Sequence, residues 1–183
     1  MSFGHNHVIR LVALLAMIGA MHHTAFAAPP VNPVEWSARV KKGPSPLKPG
    51  SIFTVLVTAT IADGWHLYSM DQMEGGPTPT WIIVPDSQPF TLKGRVKEPQ
   101  PTVEFDANFN LETRYFENSV TFEMTIKAAA SVPPGTNAVR IDVRYQTCND
   151  RTCLPPRTVN LSVPVKIGPG VANCPHPFNR MQL

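Results

Sequence analysis

Alternation of apolar and polar side chains dominates the chain after its first thirty residues. Phe53, Val55, Val57, Ala59 and Ile61 share one parity, as do Val120, Phe122, Met124 and Ile126. Val139, Ile141, Val143 and Tyr145 form a third set, and Val159, Leu161, Val163, Val165 and Ile167 a fourth. The intervening positions are often Thr, Arg, Asp or Glu. Period two is what a half-buried strand needs, because successive side chains point to opposite faces. Shorter candidate strands lie at 34–41, 65–69, 80–85, 90–97 and 111–117. Gly43-Pro44, Gly75-Gly76-Pro77, Pro85-Asp86, Pro99 to Pro101 and Pro133-Pro134-Gly135 punctuate them. Eight or nine short strands so separated predict an all-β fold, an immunoglobulin-like β-sandwich, with a small barrel as the alternative.

The ends of the chain break the pattern. Arg10 precedes an apolar run from Leu11 to Met21, and Ala25-Phe26-Ala27 supplies small residues for cleavage. Residues 1–27 are expected to be a secretory signal peptide, since the run is well short of the roughly 20 residues of a spanning helix. No stable membrane insertion is expected after its removal, and the protein is expected to be periplasmic or secreted. Residues 28–33 read as a flexible leader, 34–167 as one domain, and 168–183 as a flexible tail that carries Cys174.

Composition narrows the function. Of 183 residues, 43% are hydrophobic and 16% charged, which excludes a wholly disordered chain. A net charge of +3, spread thinly, gives no reason to expect nucleic acid as a partner. Twenty prolines argue against a helical bundle. Four of the six histidines fall within the signal, leaving His66 and His176. No cofactor is expected. No metal site is expected either, because His66, Met70 and Met73 read more simply as a strand residue followed by a loop with adaptable methionines. Trp36, Trp65 and Trp81 are expected in the core.

The segment Tyr145-Gln146-Thr147-Cys148-Asn149-Asp150-Arg151-Thr152-Cys153-Leu154-Pro155-Pro156 carries the most specific chemistry. Asn149-Asp150 favours a turn, which sets Cys148 and Cys153 across one hairpin mouth. Facing residues of antiparallel strands lie about 4.5–5.5 Å apart at Cα, inside the window a disulfide accepts. Closing so small a ring restrains the unfolded chain by only about 2 kcal/mol, a weak motive for a purely structural staple. Counting parity onward from Tyr145 puts Cys148 on the outward face, open to an attacking thiolate. A redox-active pair and a static staple remain open at this point; zinc is the least favoured reading, since four ligands are not available.

The same segment resembles the active-site hairpin of the N-terminal periplasmic domain of DsbD, the transmembrane thiol:disulfide interchange reductase. Asp63-Gly64-Trp65-His66-Leu67-Tyr68 resembles a strand of that family. Asn108-Phe109, followed by Asn110 to Val120, resembles its cap loop and the strand after it. The resemblance runs over about residues 34–165. It implies an immunoglobulin-like sandwich that passes electrons between thioredoxin-fold periplasmic proteins through a reversible Cys148–Cys153 disulfide. It implies that Cys153 forms the mixed disulfide, that Cys148 resolves it, that Phe109 covers the pair, and that Tyr68 lies nearby. The chain departs from the family's pattern where acidic residues flank the cap phenylalanine, having Ala107 and Asn108 there and Asp106 one place earlier. It carries no counterpart of the family's eight-helix membrane domain or C-terminal thioredoxin-like domain, so a separate membrane electron donor is expected. A non-catalytic binding module with a static disulfide is the alternative.

Overall fold

The computed structural model describes residues 32–170. The expected signal peptide, most of the leader, and most of the tail, including Cys174, lie outside these residues. Eleven strands run β1 (Val34–Val40), β2 (Ile52–Ile61), β3 (His66–Tyr68), β4 (Trp81–Ile83), β5 (Phe90–Leu92), β6 (Thr102–Asp106), β7 (Leu111–Phe116), β8 (Ser119–Ala128), β9 (Gly135–Tyr145), β10 (Thr147–Cys148) and β11 (Arg157–Ile167). They form an all-β, immunoglobulin-like arrangement, and the described residues contain no helix.

Hydrogen bonding orders the strands β1-β2-β8-β5, β11-β9-β4 and β10-β3-β7-β6 in three sheets, every pair antiparallel. The three long parity sets of β2, β8 and β9 are all buried. The β11 set is buried from Val163 onward, while Val159 and Leu161 pack at its margin. Trp36 of β1 stacks on Phe122 of β8 at 6.1 Å between ring centroids and tilts against Tyr145 of β9 at 5.3 Å. Phe116 of β7 meets Phe122 edge-on at 6.0 Å, so the first sheet packs against both others. Rings buried in this way contribute about 1.5–3 kcal/mol each.

Differences from the sequence reading have local causes. Strand β6 alternates in sequence, Thr102-Val103-Glu104-Phe105-Asp106, yet its alternation marks no core face: it is an edge strand whose Val103 and Phe105 stay outside the core, Phe105 at 60% exposure. Strand β5 stops at Leu92, two residues before Gly94 takes a left-handed φ of 73°. Trp81 is no core residue: it lies 59% exposed on the edge strand β4, whereas Trp36 and Trp65 pack against the core. Gly168, where a tail was expected to begin, still donates to the Leu47 carbonyl at 2.8 Å.

Candidate functional site: a disulfide beside an aromatic and acidic cluster

The site is built where one strand changes sheets. Strand β9 pairs with β11 as far as Tyr145↔Arg157. After Gln146 the chain pairs instead with β3, Thr147 opposite Leu67 and Cys148 opposite His66. Gln146 pins this step from three sides. Its Oε1 accepts the Thr78 N–H at 2.7 Å, its Nε2 donates to the Leu154 carbonyl at 3.3 Å, and its own carbonyl accepts the Tyr68 N–H at 3.5 Å. The switch breaks the parity count. Thr147 and Cys148 are both buried, so the expectation of an outward Cys148 is overturned: Cys148 is 0% exposed.

Cys148 and Cys153 are disulfide-bonded, with Cα atoms 4.0 Å apart. The turn between them is fixed by Asn149. Its Oδ1 accepts the N–H groups of Arg151 at 3.0 Å and Thr152 at 2.9 Å, and its own N–H donates to the Thr152 carbonyl at 2.9 Å. An Asx turn of this kind is what Asn and Asp side chains do well. The Leu154 N–H returns to the Thr147 carbonyl at 2.9 Å, closing the hairpin. The two sulfur-bearing residues are unequal, since Cys153 is partly exposed.

The β6–β7 hairpin stands beside this turn. Its loop, residues 107–110, is tightened by Asp106: Oδ1 accepts the Asn108 N–H at 2.8 Å, and the Asp106 carbonyl accepts the Phe109 N–H at 3.2 Å. Asn110 leaves the loop at φ 54°, a conformation asparagine tolerates better than most side chains. The half-buried Phe109 ring meets the buried Tyr68 edge-on, 5.8 Å between centroids. The Tyr68 hydroxyl donates to Asp106 Oδ2 at 2.6 Å, so one carboxylate ties strand β3 to the loop that carries Phe109. His66 Nε2 lies 3.3 Å from the Tyr68 Oη and 4.0 Å from Asp106 Oδ2. Asn108 itself is exposed and contributes only its backbone N–H.

These contacts tune the titrating groups. Burial, then the hydrogen bond to Asp106, pushes the Tyr68 phenol far above its ordinary value. Tyr115, whose hydroxyl donates to Glu104 Oε2 at 2.6 Å, is raised to about 12, chiefly by that bond. Burial lowers the His66 pKa and outweighs the opposing pull of Asp106 and its acidic neighbours.

The structure thus links Phe109 to Tyr68 and Tyr68 to His66 by ring and hydrogen-bond contacts, and sets Cys148, bonded to Cys153, opposite His66 across the β10–β3 pair. Sequence reasoning placed no role on Gln146 or on the clamp by Asp106. The Asp106-Ala107-Asn108 sequence is itself an Asx-turn signal and marks the clamp residue. Among the described residues no group of three or more His, Cys, Asp and Glu side chains is placed to hold a metal ion. No helix among them is long and apolar enough to cross a membrane.

A family profile described as "Thiol:disulfide interchange protein DsbD, N-terminal" matches residues 41–164. The chain belongs to the DsbD N-terminal family. Solved structures similar to this DsbD N-terminal-type chain include the Neisseria meningitidis DsbD N-terminal domain in its reduced form, at 16% identity and a TM-score of 0.44, over 61% of this chain and 77% of that one. The N-terminal periplasmic domain of ScsB from Proteus mirabilis is similar at 17% identity and a TM-score of 0.46, over 78% of this chain and 50% of that one. This chain therefore spans half the length of the ScsB chain it matches. No curated protein matches.

His66 generates a prediction of sign. Its folded pKa lies below the 6.5 of an unperturbed histidine, so the unfolded chain binds the extra proton first as pH falls. The stability held by neutral His66 is complete above about pH 6.5 and is lost as pH falls through the lowered folded value. Urea denaturation at pH 7.5 and pH 5 is expected to show a larger acid loss in the native chain than in His66→Gln. Equal losses would remove His66 from the account.

Proposed function

We propose that this chain is a periplasmic thiol:disulfide exchange protein that relays electrons through a reversible Cys148–Cys153 disulfide, to or from thioredoxin-fold partners. Residues 1–27 direct export and are removed. The observation that carries the reading is the asymmetry of the pair: a wholly buried Cys148 bonded to a partly exposed Cys153, in a chain of this family.

The exchange runs in balanced steps. A donor's thiolate attacks Cys153 Sγ, forms a mixed disulfide, and releases Cys148 as a thiolate. The donor's second thiolate then attacks its own half of the mixed disulfide and frees Cys153. Two electrons have passed to the pair, and two protons follow. In the outward direction the Cys153 thiolate attacks an acceptor's disulfide, and Cys148 resolves the product by attacking Cys153 Sγ. Cys153 is the partly exposed member of the pair, which supports its role as the attacking and attacked residue. Phe109 acts as the cap over the pair. Its contact with Tyr68 and the Asp106 clamp support a loop that rests closed and opens by displacement of one aromatic edge.

Two experiments test this. Cys148→Ser is expected to accumulate a stable mixed disulfide with a thioredoxin-fold substrate, while Cys153→Ser accumulates none. Non-reducing electrophoresis reads the difference, and the reverse pattern would exchange the two roles. Phe109→Ala is expected to leave the fold intact and to speed reduction of the disulfide by dithiothreitol about two- to twelvefold, on the view that the loss of one aromatic contact of about 0.5–1.5 kcal/mol opens the cap. An unchanged rate would show that Phe109 shields nothing.

A further inference from the structure

Beside the disulfide lies a cleft of about 260 Å³ with an unusual charge. Glu104, Asp106, Glu117 and Asp150 line it, and His66 is the one basic side chain on its wall. Burial holds His66 toward its neutral form. Among the described residues, Glu104, Glu117 and Asp150 have no cationic partner within ion-pair distance. The chain as a whole carries a formal charge of +3, so this concentration of carboxylates runs against the average of the molecule. Arg151, in the same turn as Asp150, is exposed and does not line the cleft.

A second observation is independent of charge. Thr113, on β7, also lines the cleft and is only 1% exposed, yet its Oγ1 has no hydrogen-bond partner. A buried hydroxyl without a partner is costly to the free protein and is seldom left so unless something fills the role. The missing partner must be a donor if it is also to satisfy the surrounding carboxylates. Aromatic rings of Phe105 and Tyr115 complete the wall.

We infer that this cleft receives a guanidinium side chain presented by the exchange partner, with the carboxylates and the Thr113 hydroxyl as its acceptors. A guanidinium offers five N–H donors in a planar fork, stacks on aromatic faces, and sheds water more readily than an ammonium, so it fits this wall better than a lysine head. Asp150 belongs to the Cys148–Cys153 turn, and Cys148 faces His66 across the β10–β3 pair, so an arginine seated here places its own protein directly beside the sulfurs. This inference rests on the exchange reading for its biological sense, and charge complementarity of this kind sets partner choice and encounter rate.

The test uses the full oxidised chain and three capped peptides without thiols, identical except for one central Arg, Ser or Glu. Titrations are followed through the backbone amide signals of Thr113 and Asp150 by NMR. The Arg peptide is expected to shift both signals, the Ser and Glu peptides neither. Glu104→Gln/Glu117→Gln is expected to weaken Arg-peptide binding about three- to tenfold, as is high salt. Thr113→Val is expected to weaken it too while raising the urea midpoint of the free protein, because it deletes an unpaired buried hydroxyl of similar shape. Equal shifts with all three peptides, or Arg binding undiminished in the Gln variant, would overturn the inference. Because no thiol takes part, the outcome does not depend on exchange. Reversible reduction of the same protein by dithiothreitol, measured separately, shows whether the redox reading stands.

Discussion

Gln146 is the residue on which the site depends. It sits where one continuous strand leaves β11 and joins β3, and its side chain bridges the Thr78 backbone on one side and the Leu154 backbone on the other. Without that step, Cys148 continues the outward parity of β9 and the disulfide decorates an open hairpin. With it, one sulfur-bearing residue is turned under the surface and the other is left at the rim. The chemical inequality of the two cysteines is therefore a consequence of strand pairing. No special feature of either cysteine is needed.

The aromatic and acidic side chains around the pair extend the same logic. Asp106 accepts from the Tyr68 hydroxyl and from the Asn108 backbone at once, so a single carboxylate holds a core strand and an exposed loop in register. Phe109 is carried by that loop and not by a strand. Its restraint is a few local hydrogen bonds and one edge-on ring contact, a small barrier beside the buried core. The cap proposed for Phe109 needs that combination: a defined resting place and a low cost of leaving it.

Much of this was legible in the residues. Period-two runs at Phe53–Ile61, Val120–Ile126 and Val139–Tyr145 located the core strands because every residue of those apolar sets is buried. The cysteine spacing and Asn149 located the turn. What alternation did not reveal depended on neighbours distant in sequence. Strand β6 has no buried face, so its apolar residues follow no core. Cys148 belongs to a pairing with His66, far away in the chain, and parity counted along one strand carries no information about a change of partner. The orphaned hydroxyl of Thr113 and the carboxylates facing it come from different strands and turns, and only the folded chain assembles them.

Exchange through this site requires that the Cys148–Cys153 bond be readily reducible. Equilibration of the purified protein with defined ratios of reduced and oxidised glutathione measures its reduction potential directly. A value between about −120 and −270 mV, within the span of dithiol oxidoreductases, is the predicted result. A value below about −300 mV, where structural disulfides of exported proteins lie, would contradict it and leave the bond a static staple.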